Sequence, residues 1–157
     1  MSDASLKFIH KKTGQLLIND FLKKAVIKAE KRLLNAGLPV TNGKVIAEQT
    51  LGFWTDLYEL HHYKLLYGYP IKIFKHLPSG YGRKQVVVAL TKIRKFRNRI
   101  NHNEPICFKG QQIETSSTEE VYKAIISILN WIDPIFLNII NDIDEVSLKL
   151  NEVKSII

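Results

Sequence analysis

Residues 84–105 read KQVVVALTKIRKFRNRINHNEP, and the spacing within them decides the fold class. At roughly 100° per residue, Val86, Ala89, Leu90, Ile93, Phe96 and Ile100 line up along one face, and lysines and arginines fill much of the rest. That pattern predicts an amphipathic helix over about 84–100, and Pro105 forbids it from running much past Asn103. Arg97 falls inside the apolar stripe. A guanidinium aimed at a core or an interface is costly unless something answers its charge. The plain answer is a buried ion pair with Glu48, Asp56 or Glu59. His102 lies five positions later, roughly 140° around an ideal helix. The two side chains therefore converge only if the helix ends near Asn101, or if each comes from a different subunit about a two-fold axis. Asn98 is four residues before His102 and can orient the imidazole or contact a phosphate. A lone histidine at a helix end also suits the negative end of the helix dipole.

The same periodicity extends outward from this segment. A first helix is expected over about 15–36, with Leu16, Ile27, Leu33 and Leu34 among lysines and Gly37-Leu38-Pro39 as its stop. A long, aromatic-rich second helix is expected over about 43–67, capped by Thr41 or Asn42. Residues 68–82 hold Pro70, Pro78 and three glycines and read as a loop with at most one short turn. Ser117 and Glu120 have capping-box spacing and predict the start of a further helix toward Trp131, with a kink near Pro134. No segment alternates with period two long enough to require a sheet. The expectation is an all-α protein: one domain over 1–157, a bundle of four to five helices with its core over about 15–142 and a helical tail over 144–157.

Charge narrows the function classes more than composition does. The chain carries 23 Lys+Arg against 15 Asp+Glu, a formal +8. Residues 1–113 hold 20 basic and 7 acidic side chains, whereas 114–157 hold 3 and 8, so the excess lies in the first part of the chain. A basic body attracts polyanions without base specificity, RNA and DNA being the commonest soluble ones, and the competing reading is a solvated basic surface. Lys7, Lys11 and Lys12 interrupt the one short apolar stretch near the N-terminus, so no signal peptide is expected. Apolar stretches such as 124–129 and 135–140 fall far short of the roughly 20 residues that cross a bilayer. A cytoplasmic location without membrane attachment is the expectation. Cys107 is the single cysteine, which rules out a disulfide framework. His61-His62 lacks the i, i+4 partner of a helical zinc site, so neither metal nor cofactor is expected. Tyr58, His61, His62, Tyr63, Tyr67 and Tyr69 form an aromatic strip suited to core or interface packing, or to stacking on unpaired bases.

Arg97-Asn98-Arg99-Ile100-Asn101-His102 resembles the Arg-polar-x-x-x-His signature of the HEPN superfamily, and Asn103-Glu104-Pro105-Ile106 extends the likeness to its Abi-like (abortive infection) branch. That branch typically reads Arg-Asn-Arg-Ile-Ala-His-His-Glu-Pro-Ile, so this chain departs from it at Asn101 and Asn103. Thr50-Leu51-Gly52-Phe53-Trp54 is similar to the family's phenylalanine-glycine-phenylalanine-tryptophan segment. The resemblance covers about residues 40–110. It implies a HEPN-like helical bundle that forms a homodimer, with two copies of the motif facing each other across a basic cleft. It also implies a metal-independent endoribonuclease acting in phage defence or as a toxin, with an antitoxin or other partner protein as a further expectation. Arg97 and His102 would be catalytic and Asn98 supporting, with Lys92, Arg94, Lys95 and Arg99 binding RNA. Glu104 reads as structural, pairing with Arg99 or capping the turn. The alternative is a non-catalytic HEPN module that dimerises and binds RNA within a larger defence system. Asn103 in place of a second histidine, and a chain shorter than expected of whole Abi-like proteins, favour that alternative; intact Arg97 and His102 favour the enzyme. A basic DNA-binding helical domain is a third reading, disfavoured because no helix-turn-helix spacing is evident.

Overall fold

A computed structural model describes residues 20–155 together with the backbone of 6–9 and 16–19. The architecture is mostly helical, with eight α-helices among the described residues where the sequence suggested four to five. Two small antiparallel hairpins accompany them. The sequence suggests one domain; the packing of the chain divides it into two units, the first ending at Gly68 and the second beginning at Tyr69.

In the first unit, β1 (Leu6–Ile9) pairs antiparallel with β2 (Leu16–Asn19), with Leu6 opposite Asn19 and Ile9 opposite Leu16. The helix expected from Gln15 onward therefore begins later, as α1 (Phe21–Asn35), and Gln15 itself lies outside the described residues. Leu22, Ala29 and Leu33 recur at helical spacing and are buried. The stop works as anticipated: Gly37 takes a left-handed φ of +67°, Gly37 N–H donates to Leu34 O, and Leu38 N–H donates to Leu33 O at 2.9 Å. These two bonds make a Schellman closure, satisfying carbonyls the helix end would otherwise leave unpaired.

The single helix expected over 43–67 is instead three short ones: α2 (Asn42–Ala47), α3 (Leu51–Asp56) and α4 (Leu60–Leu65). Thr50 and Glu59 interrupt it because both adopt extended backbone, at ψ 161° and 143°. Thr50 then caps α3, its hydroxyl accepting from Phe53 N–H at 3.3 Å, as Thr41 caps α2 by accepting from Lys44 N–H. A hydroxyl near a helix start competes for backbone donors, and here that local bond wins over helix continuity. Arg32 of α1 ties this segment down through an ion pair with Glu48 at 2.9 Å.

The second unit opens with a 3₁₀ turn (Tyr69–Ile73) and then α5 (Arg83–Asn101), close to the predicted span. A two-residue hairpin follows, β3 (Phe108–Lys109) against β4 (Gln112–Ile113). After it come α6 (Ser116–Ile132), α7 (Ile135–Asn141) and α8 (Val146–Lys154). Pro134 marks a full break between α6 and α7 rather than a kink. The Ser117–Glu120 capping box does not form: Glu114 accepts from Ser116 N–H, the Thr115 hydroxyl donates to Glu119, and Glu120 pairs with Lys92. Helices α5 and α6 run antiparallel, and Val86 and Ala89 of the first and Val121, Ile128 and Trp131 of the second are buried. Phe74 and Tyr81 both set their rings edge-on to Trp131, at 6.5 and 5.7 Å. Lys154 of α8 reaches Glu119 at 2.9 Å, and the Tyr122 hydroxyl bonds Asp144 just ahead of that helix. No helix among the described residues is long and apolar enough to cross a membrane.

Candidate functional site: the C-terminal end of α5

Helix α5 carries every residue the sequence singled out for chemistry except His102, which is its C-cap. Its first turns are core: Val86 is fully buried and Ala89 nearly so. Further along the same stripe the neighbours run out. Leu90, Ile93 and Phe96 are half-buried, Ile100 is 49% exposed, and Arg97 is exposed. The anticipated burial of Arg97 is therefore not found. Glu48, one of the carboxylates considered for it, belongs to Arg32, and the Arg97 guanidinium has no hydrogen bond or ion pair to any described residue. The apolar stripe and its arginine continue into solvent.

The turn after α5 is built tightly. Asn103 N–H donates to Ile100 O at 3.0 Å and Glu104 N–H to Arg99 O at 2.9 Å, while Asn103 sits at φ +54°. This is a second Schellman closure, with asparagine at the left-handed position that glycine fills after α1. Asparagine is among the few residues that tolerate that conformation, which accounts for Asn103 on local grounds. The Arg99 guanidinium pairs with Glu104 at 3.4 Å and donates to the Pro105 carbonyl. Arg99 thus fastens the turn, as the reading of Glu104 anticipated.

His102 and Asn98 are both exposed. The His102 backbone N–H donates to Asn98 O at 3.0 Å, but no hydrogen bond joins the Asn98 amide to the imidazole. Of the remaining expected RNA contacts, Lys95 is exposed and has no ion pair to a described residue, Arg94 is half-buried, and Lys92 is paired with Glu120 at 2.6 Å. The helix ends at Asn101 with His102 as its C-cap, and no hydrogen bond joins the Arg97 and His102 side chains. The aromatic strip divides by environment: Tyr58 and His62 are buried, whereas Tyr67 is 88% exposed. Burial, with Tyr63 adding to it, pushes the Tyr58 hydroxyl up to about 12. Among the described residues, no group of three or more His, Cys, Asp or Glu is placed to hold a metal ion.

The asparagine closure was the part of this site that sequence reading missed, although an asparagine directly after a helix end and ahead of Glu-Pro is a recognisable signal for it. The class defined by the architecture is a mostly helical protein with a basic helix end exposed at its surface. Compared with protein-family models, with curated proteins and with solved structures, the chain has no significant match.

Proposed function

We propose that this chain is a metal-independent endoribonuclease of HEPN type, of the Abi-like kind, acting as a homodimer in phage defence or as a toxin. The observation that carries the reading is Arg97. It lies on the apolar side of α5 next to exposed Ile100, and no described carboxylate neutralises it. An unpaired guanidinium beside exposed aliphatic surface suits an interface that also holds a phosphate. Across a two-fold axis, Arg97 of one protomer meets His102 of its partner despite their angular separation on a single helix.

The chemistry needs little else. The 2′-hydroxyl of RNA attacks the adjacent phosphorus and gives its proton to an imidazole, while the guanidinium stabilises the negative charge that builds on the phosphorane oxygens. The P–O5′ bond then breaks, the leaving oxygen takes a proton, and a 2′,3′-cyclic phosphate and a free 5′-hydroxyl result. With one motif imidazole per chain, acid and base come from the two protomers or from water.

The test is cleavage of labelled single-stranded RNA in EDTA. Arg97→Ala and His102→Ala each lower the rate by about 10²–10⁴-fold, and substrate with a 2′-deoxy at the cut site resists. A requirement for divalent metal, or cleavage that survives both substitutions, overturns the proposal. Binding without cleavage selects the non-catalytic module.

A further inference from the structure

Two adjoining hollows between α5 and α6, of about 370 and 260 Å³, share Lys92 and Glu120 and so form one groove along the second unit. Five basic side chains line it against a single carboxylate, and that carboxylate is already paired with Lys92. Lys84, Lys95 and Lys123 have no ion pair or hydrogen bond to a described residue. Over the span from Lys84 to Lys95 the groove runs about 16 Å along α5. At the end away from the motif stands Tyr81, 50% exposed. Its ring is held edge-on by Trp131, with 81° between the planes. Ammonium groups spaced along a track and a braced aromatic at its end are the two components with which proteins hold unpaired strands: charge follows the backbone, and the ring stacks a base. Duplex cannot use the ring, because its bases are already stacked on one another.

We infer that the α5–α6 groove is a binding track for single-stranded RNA, with Lys84, Lys95 and Lys123 on the phosphates and Tyr81 as a stacking platform. The inference rests on the proposed function for its choice of RNA, and it adds a path that leaves the motif end of α5 and runs back along the helix. On the helix wheel, Arg97 lies roughly 150° from the middle of this groove and His102 only about 70°. The track therefore delivers the strand on the histidine side, leaving Arg97 to face the partner protomer.

The experiment is fluorescence anisotropy of the full chain with a labelled ten-nucleotide oligo-uridine, run in the Arg97→Ala background to suppress cleavage. Tyr81→Ala is expected to weaken binding by about 5- to 100-fold, the worth of one base–aromatic stack, while Tyr81→Phe binds normally. Lys123→Gln lowers the salt slope by about 0.7, the value of one single-strand phosphate contact. Lys149→Gln, the same charge change on α8, leaves affinity unchanged. Wild-type affinity in both Tyr81→Ala and Lys123→Gln overturns the track, as does an equal loss in Lys149→Gln, or tighter binding of oligo-thymidine than of oligo-uridine. Should these variants bind normally while the wild-type chain still cuts RNA, the track fails and the ribonuclease stands. Should they lose binding while no RNA is cut, the track stands and the ribonuclease fails.

Discussion

Replacing Asn103 by valine tests the construction of the helix end that presents His102. Asn103 holds φ +54° because the following N–H must turn back to Arg99 O at 2.9 Å. For an ordinary L-residue that conformation costs about 1–2 kcal/mol, from the clash of Cβ with the following carbonyl, and a β-branched side chain makes it worse. Asparagine already carries part of this strain, so the net loss for Asn103→Val is about 1–2 kcal/mol. In a chain of this size each kcal/mol moves the melting temperature by roughly 2–4 °C, so the variant should melt roughly 2–8 °C below wild type. Asn103→Gly should stay near wild type, since relief of the strain is offset by about 0.5–1 kcal/mol of added freedom in the unfolded chain. Thermal unfolding followed by circular dichroism measures both. Hydrogen exchange at the Glu104 amide reports the turn directly and should quicken in the valine variant. Equal melting of valine and glycine variants, with Glu104 protection unchanged, would refute the reasoning.

Two other outcomes follow from burial. Val86→Ala, at a fully buried position of α5, removes two buried carbons and should cost about 1.5–3 kcal/mol, read from chemical denaturation with an unchanged slope. Tyr58, held up to about 12 first by burial and then by Tyr63, should resist ionisation in an ultraviolet pH titration. Its folded value lies above the unfolded 10.0, so the folded state retains a proton that the unfolded state loses; stability is intact below pH 10 and falls between about 10 and 12. A Tyr58→Phe variant should lose that alkaline step.

The elements that were legible are those whose burial follows one face. In α5, Val86 and Ala89 mark the core at the predicted spacing, and Pro105 sets the end within a few residues. The span 43–67 was misread because aromatic and apolar residues recur at a helical period across Thr50 and Glu59, while the interruptions come from individual residues adopting extended backbone, which periodicity does not register. The hairpins are short and outside any alternating run, β3 and β4 having two residues each. Arg97 shows the deeper limit: period tells which side of a helix is apolar, but how far a neighbouring element reaches along that side is a tertiary fact. The spacing of Arg97, Asn98 and His102 is plain in the sequence, whereas the groove beside them is not, since Tyr81 and Lys123 are brought together only by the antiparallel packing of α5 on α6.

Helix α5 holds two kinds of residue on one line, those that keep the fold and those that leave it untouched. Ile100 and Arg97 contribute little to the free energy of the isolated chain, so a survey scored by folding or solubility would class them as freely replaceable. Under the proposed function, selection for what the molecule does would guard them instead, and a position tolerant in the first kind of screen and intolerant in the second would be its mark.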